Sequence, residues 1–365
     1  MSEWQTFCLK DLGKIVGGAT PPTNNPKNYG NKIAWITPKD LSTLQGRYIK
    51  KGSRSISRLG FKSCSCVLLP KHAILFSSRA PIGYVAIAKK RLCTNQGFKS
   101  IIPNKKIYFE FLYYLLKYHK DNISNIGGGT TFKEVSGATL GLFQVKIPPT
   151  YYEQQKIART LSVLDQKIEN NHKINEILHT LAYKIHEYYF KYKPKNAKLE
   201  QIIIENPKSN IMVKNAQKTQ DKYPFFTSGD NILSYPKAII DGRNCFLNTG
   251  GNAGIKFYVG KASYSTDTWC IGANEFSDYL YLLLSSIKNH INQSFFQGTS
   301  LKHLQKNLLK KYPIHMPSTH EIKKFNQIIM PLLTLISINT RTSKKLEQIR
   351  DFLLPLLLKQ QVKPK

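Results

Sequence analysis

Two stretches of this chain carry the same helical seam, and any fold has to accommodate both. From Glu153 to Tyr189 the apolar positions step by threes and fours: Ile157, Leu161, Leu164 and Ile168, then Asn171 and Asn175, then Leu178, Ala182, Ile185 and Tyr189. This spacing holds one stripe on one helix face for about ten turns, the sustained heptad of a helix that packs lengthwise on another. A second segment opens at Glu321, 168 residues after Glu153, and follows the seam without a gap. Phe325, Ile329, Leu332 and Ile336 answer the first four apolar positions, Asn339 and Ser343 answer the asparagines, and Leu346 and Leu353 answer Leu178 and Ile185. Two apolar helices arise easily by chance; the same polar defect in the same layer does not. Neither seam is stable alone in water, so the sequence predicts that the helices pair antiparallel within the chain. Asn171, Asn175, Asn339 and Ser343 then make a polar layer that sets register, with Asn171 and Asn339 at its centre. The alternative packs each helix on its own globular unit, with the asparagines at an exposed edge. Pro331 falls inside the second helix, where a kink is expected. Some 36 paired residues at 1.5 Å each reach about 54 Å, a ruler holding two globular parts apart.

The duplication continues upstream. GTTFKEVSGATLGLFQVKIPPT (129–150) matches GTSLKHLQKNLLKKYPIHMPST (298–319) at an offset of 169. AILFSSRAPIGYVAI (73–87) corresponds to NCFLNTGGNAGIKFY (244–258), and TNQGF (94–98) to STDTW (265–269), both at an offset of 171. Short apolar runs between glycine turns read as strands, whereas 108–120 and 279–291 have helical spacing. Each globular unit therefore mixes α and β. The expected layout is a unit over 1–150, a long helix over 151–192, a unit over 193–319 and a long helix over 320–362, an α+β fold with an internal pseudo-repeat. A length of 365 residues suits two domains.

Lysine and arginine number 54 against 22 aspartate and glutamate, a net charge of +32. A globular chain this basic points to a polyanionic partner, nucleic acid first; a lysine-rich proteome is the plainer explanation. No apolar run reaches membrane-spanning length, and MSEWQTFCLK lacks a signal pattern. The six cysteines have neither metal-knuckle nor disulfide spacing, so a reduced, cytoplasmic protein is expected. Motifs for chemistry are wanting. Asn25-Pro26-Lys27-Asn28-Tyr29 and Asn206-Pro207-Lys208-Ser209 lack the second proline of an adenine pocket. GIKFYVGKA (254–262) has five residues between its glycines where a phosphate loop has four. The acid-x-Lys triplets at Asp165 and Glu321 lie on the long helices, where solvated ion pairs are the simpler reading. No catalytic residue and no metal site are predicted.

The candidates for DNA contact lie in turns. Arg79 follows an apolar strand and Ser78, where it can pair with guanine or phosphate, or make a structural ion pair. Thr94, Asn95 and Gln96 stand together before Gly97; such side chains suit adenine edges or a hydrogen-bonded turn. Asn248, Thr249, Asn252, Ser265, Thr266 and Asp267 occupy the matching places in the second copy. Lys133 and Lys302, three residues after Thr130 and Thr299, repeat and suit phosphates, as does Lys39.

With these residues assembled, a family resemblance emerges. GGATPPTNNPKNYGNKIAWITPKDLS (17–42), SSRAPIGYVAI (77–87), GTTFKEVS (129–136) and EQQKIARTLSVLDQKIENNHKIN (153–175), with the repeat, resemble the specificity (S) subunit of type I restriction–modification systems. The second half departs, with Ser228-Gly-Asp for Thr37-Pro-Lys-Asp and GGNAGI for SRAPIG. The resemblance implies two target recognition domains that each read one half of a gapped site in double-stranded DNA, with the helices setting the unread gap. It implies a chain without chemistry of its own that joins two methyltransferase (M) subunits and, in some assemblies, restriction (R) subunits. S-adenosylmethionine, ATP and magnesium would then belong to those partners. The alternative is the recognition portion of a restriction–methylation enzyme with its own nucleic-acid chemistry.

Overall fold

The two seams each become a 40-residue helix, Tyr151–Phe190 and Thr319–Leu358, the second continuous through Pro331. A computed structural model gives the fold and describes residues 3–129, 133–216 and 222–364; Thr130 of the sequence motif lies outside them. The chain forms two compact units, and both long helices contribute to each. The first comprises Met1–Asn170 and Ser343–Lys365, the second Asn171–Thr342.

In the first unit a five-stranded sheet runs in the order Gly13–Gly17, Lys99–Pro103, Ile74–Ser78, Ile82–Ala88, Tyr48–Ile49. Beside it lies a three-stranded sheet, Arg54–Ile56, Tyr29–Ile36 and Cys93–Thr94, whose last two strands pair in parallel. Ile74–Ser78 is buried along its whole length, which is why it reads as an apolar run without alternation. The helix Phe109–Asn125 packs its apolar residues into a core with Ile157, Ala158 and Leu161 of the first long helix and Leu354, Leu357 and Leu358 of the second. Early residues of one helix thus meet late residues of the other, the mark of antiparallel pairing.

The second unit repeats the plan. Its four-stranded sheet runs Ile204–Glu205, Thr268–Gly272, Arg243–Asn248, Ile255–Val259, and its three-stranded sheet has Tyr223–Phe226 between Leu233–Tyr235 and Ser263–Tyr264. Again the last pairing is parallel, Phe225 opposite Ser263 and Phe226 opposite Tyr264. The helices cross antiparallel here too: Phe190 packs on Phe325, and Lys193 Nζ donates to Glu321 Oε1 at 2.8 Å.

The polar layer is present, and its bond runs between non-equivalent positions of the repeat. Asn339 Nδ2 donates to Oδ1 of Asn175, not of Asn171, at 2.9 Å, and Asn175 Nδ2 reaches Thr340 Oγ1 at 3.4 Å. Matching positions in a repeat are not facing positions in an antiparallel pair, because each helix runs away from the other's equivalent residue. Asn171 in the second unit and Ser343 in the first are both buried. The asparagine layer therefore does not lie at an exposed edge.

Buried charge ties the helices to the sheets. Arg47, 3% exposed, precedes the edge strand Tyr48–Ile49 and donates through Nη1 to Glu110 Oε1 at 2.8 Å. Its backbone N–H donates to Glu169 Oε1 at 2.9 Å. Asp165, on the first long helix, accepts from Tyr114 at 2.5 Å and from Arg350 of the second at 2.7 Å. Burial works against the charge of Arg47, but Tyr114, Glu169, Glu110 and Asp165 hold its pKa above the ordinary guanidinium value. The second unit achieves the same end from another place in the sequence. Arg243 binds Asp278 through Nε and Nη2, both at 2.5 Å, and donates to Thr334 Oγ1 at 2.9 Å.

Truncating Arg47 to alanine leaves Glu110 and Glu169 without their buried partner, and a loss of about 3–5 kcal/mol is expected in urea unfolding. His186 gives a second expectation. It lies among Phe190, Tyr279 and Phe325, and neither ring nitrogen has a hydrogen-bond partner among the described residues. Burial lowers its pKa to about 4, with Glu187 opposing. The unfolded chain, with an ordinary histidine near 6.5, binds the proton first as pH falls. Stability from this site is complete above pH ~6.5 and declines toward pH ~4, by on the order of 2–3 kcal/mol. His186→Leu should flatten that part of the pH–stability curve; an unchanged slope would contradict a buried neutral imidazole.

Candidate nucleic-acid interface

In the first unit, four turns meet where the parallel strands end. Tyr29–Ile36 passes into the helical turn Pro38–Ser42, fixed by Asp40, which accepts from Thr37 N at 2.8 Å and from Ser53 N at 2.7 Å. Burial acts to raise the pKa of Asp40, but the hydrogen bonds from Ser53 and Thr37 leave it below the ordinary carboxylate value. Lys39 is exposed on this turn. The neighbouring strand Cys93–Thr94 runs into Asn95–Gly97, where Asn95 N donates to Ile36 O at 2.9 Å and Asn95 Oδ1 accepts from Gly97 N at 3.0 Å. Gly18 lies so close beneath that a Cβ would stand 2.0 Å from Asn95 O, so only glycine fits. Thr20 hydrogen-bonds Gln96. The third and fourth turns join through the backbone of Ser78, whose N–H donates to Gly97 O at 2.8 Å and whose carbonyl accepts from Val135 N at 3.0 Å.

The second unit builds the same frame. Ser265 N donates to Phe226 O at 2.9 Å, Thr249 N to Asp267 O at 3.3 Å, and Leu304 N to Thr249 O at 3.0 Å. Gly251 N donates to Lys302 O at 2.9 Å. Ser228 Oγ donates to Asp267 O and accepts from Thr249 N.

These frames sort the sequence candidates. Lys39, Gln96, Lys133, Asn252, Thr266 and Lys302 are exposed, and Asn95 is half-buried. Four candidates are instead buried inside the fold. Ser78, Thr94 and Ser265 are at most 2% exposed. Asn248 donates through Nδ2 to Asn252 O at 3.1 Å and accepts from Lys256 Nζ at 3.1 Å. These four shape the turns from beneath and do not present their side chains to a ligand. Arg79 makes an ion pair with Glu134 at 3.4 Å, and Glu134 also holds Lys99 at 3.3 Å.

Sequence reasoning passed over Thr20, Lys99 and Glu134 in the first unit and Ser228 and Lys256 in the second. Burial lowers the Lys256 pKa, while Asp230 and Asp267 counter it. The one available signal was the change from Glu134 to His303 beside the repeated lysine. Among the described residues, no group of three or more His, Cys, Asp or Glu side chains could hold a metal ion. No described helix is long and apolar enough to cross a membrane.

The burial pattern separates two kinds of substitution. Asn248→Ala removes one of two acceptors of the Lys256 ammonium, leaving Thr227 O at 2.8 Å, and should cost about 1–3 kcal/mol in thermal unfolding. Asn252→Ala, on the exposed tip, should stay within about 0.5 kcal/mol.

Comparison with known proteins agrees with this duplicated frame. The family model for the type I restriction modification DNA specificity domain matches twice, over residues 1–179 and 195–348. The chain is 33% identical to the specificity subunit of the type I restriction enzyme MjaIX of Methanocaldococcus jannaschii, over 98% of its own length and 93% of the relative's. It is 30% identical to the HindI specificity subunit of Haemophilus influenzae, over 48% and 39% of the two chains. The crystal structure of a type I restriction–modification S subunit from M. genitalium matches with a TM-score of 0.65 and 17% identity, covering 98% of this chain and 96% of that one, a likeness of fold.

Proposed function

This chain belongs to the type I restriction modification DNA specificity family, and on that premise we propose that it reads a bipartite, gapped sequence in double-stranded DNA. Each unit reads one half-site with the turns at the ends of its parallel strands. One observation carries the reading: both units build the same backbone frame, yet the exposed residues on it differ. A shared frame docks each unit in the same way, while different side chains select different bases. Lys39, Lys133 and Lys302 supply phosphate contacts that position without specifying; Asn95, Gln96, Asn252 and Thr266 are the base-facing set. The long helices set the unread gap.

The chain itself performs no chemistry in this proposal. It assembles two methyltransferase subunits, and restriction subunits where these are present, in the cytoplasm. S-adenosylmethionine, ATP and magnesium are bound by those partners.

Co-expression with the neighbouring methyltransferase gene, followed by single-molecule mapping of methylated adenines, tests the proposal. The expected result is a gapped motif with two unlike halves that disappears when this gene is deleted. A continuous motif, or methylation indifferent to the deletion, would remove the specificity role.

A further inference from the structure

We propose that Arg79, aimed by Glu134, reads a guanine in the half-site of the first unit, and that the second unit has no such reader. The inference rests on the specificity reading above and gives one base of one half-site a chemical identity.

The two frames can be laid on each other by their own hydrogen bonds. Val135 N donates to Ser78 O in the first unit, and Leu304 N donates to Thr249 O in the second. Arg79 follows Ser78 and Glu134 precedes Val135; the residues in those places in the second unit are Gly250 and His303, paired across a β-bridge. One unit therefore carries a cation and a carboxylate where the other has bare backbone and an imidazole. The frame is constant, and the side chains at this point are not.

The pairing favours a base edge over a phosphate. Arg79 Nη1 donates to Glu134 Oε2 at 3.4 Å, and the Arg79 side chain is 38% exposed. Its contact with Glu134 runs through Nη1, which leaves Nε and Nη2 without a partner among the described residues. A guanidinium held at one corner keeps its remaining N–H groups in a fixed direction, the condition for bidentate donation to guanine N7 and O6. A phosphate-binding arginine gains nothing from a carboxylate alongside, which repels the phosphate. The second oxygen of Glu134 accepts from Lys99 Nζ at 3.3 Å, so both carboxylate oxygens are engaged, one by Lys99 and one by Arg79. Since both partners are about one-third exposed, their ion pair adds little to stability, and its loss is not expected to unfold the unit.

Three variants of the full chain, Arg79→Ala, Arg79→Lys and Glu134→Gln, would be co-expressed with the methyltransferase and their methylation motifs mapped. The wild-type first half-site should contain an invariant G·C pair. Arg79→Ala and Arg79→Lys should both relax that position, by about tenfold or more in discrimination, because lysine lacks the planar fork. Glu134→Gln should relax the same position while overall DNA affinity holds or rises, since a negative charge has left the interface. That combination separates aiming from mere support of the fold. The other half-site should be unchanged in all three, which also reports that the chain is folded. A uniform loss of methylation with no relaxed position would make Arg79 a phosphate contact and overturn the inference. Unchanged motifs, or a wild-type half-site with no invariant G·C pair, would also overturn it while leaving the specificity role standing. A wild-type chain that directs no gapped motif would overturn both.

Discussion

Each unit is locked by an arginine paired with an acid at the start of a helix, at least one of the two buried, and the rest of the architecture hangs on that clasp. Arg47 meets Glu110 on Phe109–Asn125 and Glu169 on the first long helix; Arg243 meets Asp278 on Ser277–Ser286 and Thr334 on the second. A buried ion pair is poor evidence for net stability, because desolvation offsets most of the attraction. Its strength here lies in direction. A guanidinium with several acceptors can be satisfied in only one relative placement of sheet, short helix and long helix. The apolar seams alone would tolerate slippage by a turn; the clasps would not.

Glu110 and Asp278 are each the second residue of their helix, whereas Arg47 and Arg243 come from different places in the two sheets. Arg47 arrives on an edge strand, and Arg243 opens a central strand of its own sheet. The acid stands at the same place on each helix and two different strands supply its partner. The same arrangement bears on the charge of the chain. Of the few acidic residues, Glu110, Asp165, Glu169 and Asp278 are spent inside the fold and Glu134 and Glu321 on local pairs. The net positive charge is therefore concentrated on the exposed lysines, where it can act on a polyanion.

What was legible in the sequence was what repeats with a short period. The seams, the duplication and the mixed character of the units follow from local patterns, and the structure has them. The parallel pairing of Tyr29–Ile36 with Cys93–Thr94 was not legible, since the strands lie far apart in the chain and nothing in their composition names the partner. Arg47 was missed because its flanking residues, Gly46 and Tyr48, resemble any basic surface turn. Ser78, Thr94, Asn248 and Ser265 were read as exposed because they are polar, yet close-packed turns bury such side chains among backbone groups. The polar layer between the helices was legible, but its pairing was not: sequence comparison finds equivalent residues, and an antiparallel pair brings together non-equivalent ones, here Asn175 and Asn339.

A chain that contains its own homologue supplies a comparison that ordinary single sequences lack. Positions that must do the same work in both units should agree, and positions that read different bases should not. The backbone bonds of the frame agree, as do Lys133 and Lys302. Arg79 and Gly250, Glu134 and His303, and Gln96 and Thr266 disagree while sitting on equivalent backbone. These differences stand on turns whose backbone bonds are shared, beside lysines that did not change, and such a pairing of fixed charge with varied side chains suits two units of one fold that meet different partners.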